Sequence, residues 1–216
     1  MTRVQAEITD FNAPFEDFLS AAASRSHVPG GGSVTAAAGA LGAAMGSMVA
    51  NLTLGKKGYE ELQGEAAEMA AAFREGMEDF RRLASADMEA FDEVMRARRL
   101  PGTGRDDAEA RCRAMSAALR KAVTAPLEIA RKASELLELN RRLAAFGNAG
   151  AVNDCGVAAV LLEAVVRAAM LSVDVNLPSL EDTQLLADVR ARKEEILSGA
   201  GFVMEESMRL VEARRR

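Results

Sequence analysis

The stretch from Pro29 to Tyr59, PGGGSVTAAAGALGAAMGSMVANLTLGKKGY, decides the fold. Gly30, Gly31 and Gly32 open it, a run of small residues follows, and Gly55-Lys56-Lys57-Gly58 closes it. Ser33 is a natural N-cap, because its hydroxyl accepts a hydrogen bond from an amide that the first helical turn leaves unpaired. A glycine loop feeding a helix start also offers N–H groups at the positive end of the helix dipole. That suits a carboxylate or a carbonyl. The G-x-x-x-x-G-K-[ST] phosphate loop is absent.

The helix has three kinds of face. At about 100° per residue, Val34, Leu41, Met45, Met48 and Leu52 share one broad apolar side. Gly39, Gly42 and Gly46 form a side without side chains. Ser33, Ala37, Ala40, Ala44, Ser47 and Asn51 form a third. The small faces invite close approach by other helices, which reads as a tightly packed core helix. The Ser/Asn stripe also suits a ligand.

Working outward, the 216 residues make one domain, residues 1–216, with room for a sizeable core. There is no Trp, and the chain is rich in the helix formers Ala, Leu, Met, Glu and Arg. A net charge of −5 with interleaved signs argues against a nucleic-acid surface. Cys112 and Cys155 have no metal-ligand spacing and no disulfide-rich setting, so a reducing, cytoplasmic compartment is expected. No signal-peptide pattern is visible. The 33–54 run is too rich in Gly, Ala and Ser to read as a membrane span, so no membrane partner is expected.

Thr9 or Asp10 caps a first helix containing Phe11, Phe15, Phe18 and Leu19. Residues 24–32 are a loop. A charged helix runs from Tyr59 to about Ala84, and a turn near Ser85 separates it from one holding Asp87, Phe91 and Met95. LPGTGRDD, 100–107, is a break. A long helix then spans about 107–140, with Pro126 expected to kink or divide it. GNAGAVNDCG, 147–156, is a second small-residue loop, followed by helix 154–175, the break NLPS and a charged final helix. No β-pattern of useful length appears. The expectation is an all-α bundle of seven or eight helices.

Asp154 heads a mainly apolar face with Ala158, Leu161, Val165, Ser172 and Asn176. Its two readings are an N-cap and a half-buried acid/base. Asp87 carries the same two readings. Glu163, Arg167 and Asp174 read as an ion-pair row. His27, the only histidine, precedes the glycine loop without a placed partner. No nucleophile triad and no metal cluster can be assembled from spacing.

These motifs resemble the cyclodeaminase domain of formiminotransferase-cyclodeaminase and the related stand-alone methenyltetrahydrofolate cyclohydrolases. The matching pieces are PGGGSVTAAAGALGAAMGSMVANLTLGKK at 29–57, DMEAFDEVMRARRLP at 87–101, APLEIA at 125–130, GNAGAVNDCGVAAVLLEA at 147–164 and VNLPSLED at 175–182. They run nearly end to end in the family's order. No formiminotransferase domain accompanies them, so the chain looks like the stand-alone form. One departure is Ser26-His27-Val28, where the family pattern has Thr-Pro or a similar pair.

The resemblance implies a homodimer, or a dimer-based oligomer, with tetrahydrofolate in a groove near the subunit contact. It implies no cofactor beyond the folate substrate and no metal. Cyclohydrolysis of 5,10-methenyl-tetrahydrofolate is the expected reaction. Cyclodeamination of 5-formimino-tetrahydrofolate is the alternative, and a non-catalytic folate-binding dimer the second. Implied substrate contacts are Gly30, Gly31, Gly32, Ser33, Asn51, Lys57 and Asn148. Asp154 is the expected acid/base, Lys56 the polarising or carboxylate-pairing cation, and Asp87 the reserve acid/base.

Overall fold

A computed structural model describes residues 14–102 and 104–215. Over these residues the chain forms six α-helices and no strand. They are α1 Phe15–Ala22, α2 Gly31–Thr53, α3 Gln63–Arg99, α4 Arg105–Phe146, α5 Val152–Asn176 and α6 Thr183–Arg214. Single 3-10 turns stand at Glu60–Leu62, Ala149–Ala151 and Leu177–Ser179. The all-α expectation holds. The caps foreseen at Thr9 and Asp10 lie outside the described residues.

Two expected breaks are absent, which lowers the helix count. Around Ser85, α3 continues, with Ala84 and Met88 buried and the Ser85 hydroxyl bonded to the Arg81 carbonyl. Core packing outweighs the weak local preference of Ser-Ala-Asp for a turn. Pro126 stays inside α4, buried. A proline there strips the hydrogen bond from the carbonyl four residues earlier, that of Ala122. The Asn176 side chain, from the end of α5, donates to that carbonyl at 3.1 Å and replaces the missing amide.

The packing of α2 against α3 follows a seven-residue ladder. Phe80 lies on the bare backbone at Gly39 and Phe73 on that at Gly46. A Cβ at either glycine would stand 2.5 Å from the ring. Residue numbers rise on α2 as they fall on α3, so the helices are antiparallel, with one knob per heptad. α5 covers a further face of α2, and α4 packs on α3, α5 and α6. Lys132 to Asp79 at 2.8 Å, Lys121 to Glu93 at 2.6 Å and Arg142 to Glu65 at 2.8 Å bridge α3 and α4 along their length.

The glycine side of α2 is therefore its buried side, and the broad apolar side faces outward. Val34, Leu41 and Leu52 are exposed, Leu41 by 52 %. This corrects the expectation of a helix enclosed all round. α5 behaves likewise, leaving Val157, Val160, Leu171 and Val175 in solvent. By length and composition Gly31–Thr53 and the stretch Ala149–Ser179 are apolar enough to cross a membrane, yet about half of each is buried in the bundle.

Candidate functional site

The ladder that seats Phe73 and Phe80 has a third layer. Seven residues beyond Phe80, and seven before Gly39, Asp87 meets Gly32. A Cβ at Gly32 would overlap the Asp87 carboxylate, with all three carboxyl atoms far inside the 3.0 Å limit of real contacts. Asp87 thus fills a knob position at the first turn of α2. The helix begins at Gly31 with Gly30 as N-cap, and Gly30 brings no side chain to the role. Ser33 is buried in the first turn and is not the cap. Its backbone amide donates to Asp87, and its hydroxyl lies 3.5 Å from Oδ2. Asp87 caps α2 from across the helix pair.

Burial raises the Asp87 pKa above the ordinary 3.8, against the opposing pull of the Ser33 hydroxyl and amide. A carboxyl at the positive end of a helix is normally held down. Here desolvation prevails, and the group is set toward proton exchange. Beyond it stand Phe91, one turn further along α3, and His27, whose ring centroid lies 6.0 Å from that of Phe91.

The other end of α2 gathers a second cluster. The Asn148 backbone amide donates to Thr53 Oγ1 at 2.9 Å, and its Nδ2 donates to the Leu52 carbonyl at 2.8 Å. Its Oδ1 accepts from Gly150 N at 2.9 Å. Asn148 is 6 % exposed. Its side chain pins the α4–α5 turn to the end of α2. The Tyr59 hydroxyl accepts from Ala149 N at 3.0 Å. Gln63 accepts from Gly55 N at 2.7 Å and donates to the Thr53 and Tyr59 carbonyls. Arg214 donates to the carbonyls of Ala144, Phe146 and Gly147 at the close of α4.

This scaffold fixes the turn carrying Lys56 and Lys57, both exposed. Gly55 and Gly58 have φ of 69° and 89°, the left-handed region that favours glycine. Asn51, also exposed, donates to Ser47 Oγ at 3.3 Å. Asp154 lies in the first turn of α5, half-buried, and the cap position before that helix makes no side-chain bond. Cys155 is buried, which pushes its thiol to about 12. Among the described residues no group of three or more His, Cys, Asp or Glu could hold a metal ion.

The candidate residues therefore fall into two groups. Gly30, Gly31, Gly32, Ser33 and Asp87 share one end of α2. Asn51, Lys56, Lys57, Asn148 and Asp154 share the other. A helix of 23 residues separates them, a span of about 33 Å at 1.5 Å per residue. Sequence reasoning missed Thr53, Tyr59, Gln63 and Arg214 as the supports of the lysine turn. It also missed that Asp87 meets Gly32, although the sevenfold spacing of Gly32, Gly39 and Gly46 against Phe73, Phe80 and Asp87 signals it.

Known proteins resemble this chain along most of its length. The chain is 36 % identical over 198 residues to the methenyltetrahydrofolate cyclohydrolase of Methylorubrum extorquens, a match covering 90 % of this chain and 93 % of that protein. It is 35 % identical over 187 residues to the formimidoyltransferase-cyclodeaminase of Sus scrofa, covering 87 % of this chain but 35 % of that longer protein. The crystal structure of formiminotetrahydrofolate cyclodeaminase from Thermotoga maritima superposes with a TM-score of 0.85 at 29 % identity, covering 94 % of this chain and 97 % of that one. With residues 14–195 also matching the formiminotransferase-cyclodeaminase family model, the chain belongs to the formiminotransferase-cyclodeaminase family.

Proposed function

We propose that the protein is a folate one-carbon enzyme that hydrolyses 5,10-methenyl-tetrahydrofolate to 10-formyl-tetrahydrofolate. Asp87 carries this reading. It is a carboxyl with a raised pKa, held against the amide end of α2 where a packing ladder otherwise places phenylalanine. The match along nearly the whole of a methenyltetrahydrofolate cyclohydrolase supports the choice of reaction.

The chemistry asks for one group that takes and returns a proton. As water adds to the bridging carbon, the Asp87 carboxylate accepts a proton from it. The tetrahedral carbon then breaks its bond to N5, and Asp87 returns that proton to N5. The hydroxyl proton leaves as the N10 formyl carbonyl forms, so the cationic substrate yields a neutral product and one proton. Such help is typically worth about 10²–10⁴-fold in rate. The amide end of α2 and the Ser33 hydroxyl hold the carboxylate at its post. Asp87 is preferred to Asp154 as the acid/base, because it makes the ladder contact with Gly32 and accepts from the Ser33 amide, and burial raises its pKa.

The reading includes a homodimer in the cytoplasm. α2 and α5 are neighbours, and each leaves an apolar stripe in solvent. A second copy covers them, and a two-fold axis crossing the middle of α2 runs the paired helices antiparallel. Gly30–Ser33 and Asp87 of one protomer then approach the partner's Asn51, Lys56, Lys57 and Asp154. Those groups, about 33 Å away within one chain, thereby join one folate site, with the lysines facing the substrate's carboxylates.

The test offers purified protein 5,10-methenyl- and 5-formimino-tetrahydrofolate and follows the methenyl chromophore. Accelerated loss with the first supports the proposal. Appearance from the second supports cyclodeamination instead, the reading favoured by the Thermotoga maritima structure. No catalysed change with either substrate refutes both.

A further inference from the structure

Two aromatic rings beside Asp87 have no part in the chemistry above. Phe91 follows Asp87 by four residues on α3, so the two share a face about 6 Å apart. Phe73 and Phe80 on the same helix are wholly buried, whereas Phe91 remains 36 % exposed. His27 lies in the loop that delivers Gly30, and its carbonyl stands 3.2 Å from where a Gly30 Cβ would be. Its imidazole is exposed and tilted by 38° to the Phe91 ring. Phe91 thus continues the α3 face that carries Asp87, with the His27 ring beside it. Phe91 lies off the sevenfold ladder of Phe73 and Phe80 and leaves part of its ring accessible.

We propose that Phe91, edged by His27, is the aromatic wall on which a conjugated ring of the substrate lies while its one-carbon unit meets Asp87. This rests on the folate reading. In that substrate N5 belongs to the pterin and N10 to the p-aminobenzoyl group. The planar p-aminobenzoyl ring is attached directly at N10, and the planar pyrimidine of the pterin is fused to the reduced ring that holds N5. A flat conjugated ring therefore lies close to the bridging carbon on each side, and one helical turn between ring and carboxylate fits that spacing. Both the methenyl and the formimino groups spread a positive charge over an N–C–N unit. An aromatic face attracts such a cation, most strongly where water is displaced. Asp87 supplies the opposite charge one turn away. The ligand class is a reduced pterin whose one-carbon unit bears a positive charge.

The experiment separates the wall from the fold. Phe91→Leu keeps apolar bulk but removes the ring, and Phe91→Tyr keeps the ring. Stacking on an aromatic side chain is worth roughly tenfold to a hundredfold in affinity. Phe91→Leu should therefore raise KM about tenfold or more while kcat stays within about threefold, and Phe91→Tyr should restore KM. Melting temperature should hold in both. The chain has no Trp, so Phe91→Trp places its one indole at the wall, and 10-formyl-tetrahydrofolate should quench its emission saturably. An unchanged KM in Phe91→Leu overturns the proposal. So does a KM that changes only as far as light scattering shows the dimer dissociating, which assigns the ring to the subunit contact. If the unaltered protein neither turns over nor binds either folate, the folate reading falls and the wall with it. Turnover by the unaltered protein with an unaffected Leu variant removes the wall alone.

Discussion

Replacing Gly32 by alanine tests the site through a single methyl group. The added Cβ would occupy space now held by the Asp87 carboxylate. Asp87 hangs from a helix whose next contacts, Ala84 and Met88, are buried, so the backbone cannot yield. The side chain must swing away by on the order of 1 Å, and a misplacement of that size at a reacting group costs about 10²-fold in rate. It also surrenders the hydrogen bond from the Ser33 amide, worth about 1.5–3 kcal/mol for a charged acceptor. Part of that loss is returned as the carboxylate regains water. Gly199→Ala, within α6 and outside the site, is the control. Nothing lies within 4 Å of its Cβ, and alanine in a helix is favoured over glycine by up to about 1 kcal/mol. The assay is the initial rate of methenyl chromophore loss, paired with thermal unfolding. Gly32→Ala is expected to lose about two orders of magnitude in kcat with a modest fall in melting temperature, and Gly199→Ala to resemble the unaltered protein. Equal activity in both variants would refute the placement of Asp87 at the reacting centre.

Further outcomes follow from the same geometry. Asp87→Asn should lower kcat by about 10²–10⁴-fold while the fold persists, since Asn still accepts from the Ser33 amide. Because the folded pKa of Asp87 lies above 3.8, this group stabilises the fold least once pH has risen past both its unfolded and folded values. The melting temperature of the Asn variant relative to the unaltered protein should accordingly rise between acid and neutral pH, and a difference constant across that range contradicts the desolvated carboxyl. In unaltered protein the rate should fall as acid protonates Asp87, at a pH above the 3.8 ordinary for an aspartate. Mixing Asp87→Asn and Lys56→Ala chains and re-forming dimers should restore about a quarter of full activity if each site draws on both subunits, because half of the dimers would carry one intact site; no recovery places both groups' roles within one chain. Asn176→Ala should cost about 1–3 kcal/mol in denaturant unfolding by orphaning the Ala122 carbonyl, with kcat unchanged, and Pro126→Ala in the same background should recover much of it.

The helices were legible because their content is set by composition and by breaks that glycine and proline enforce, as at 100–107 and 147–150. Ser85 and Pro126 misled because local preference there is overruled by distant residues. Ala84 and Met88 belong to the core, and Asn176, fifty residues beyond Pro126, supplies the hydrogen bond that the proline removes. Which side of α2 faces inward was not legible from hydrophobicity, since its glycine side contributes almost nothing to an apolar pattern yet admits two phenylalanines from α3. The candidate residues were identified by chemical type, but the length of α2 that divides them enters only when the chain is folded. The sevenfold spacing carries more than the motif list does. Gly32, Gly39 and Gly46 offer three equivalent holes, and α3 fills them with Asp87, Phe80 and Phe73. A seam selected for packing alone would take a third apolar side chain. A carboxylate in that position costs desolvation, which the Ser33 amide and the positive end of α2 offset only in part. The same burial that makes Asp87 expensive to the fold moves its pKa toward the range in which proton transfer is fast, so the least economical residue in the ladder is the one on which turnover is expected to depend.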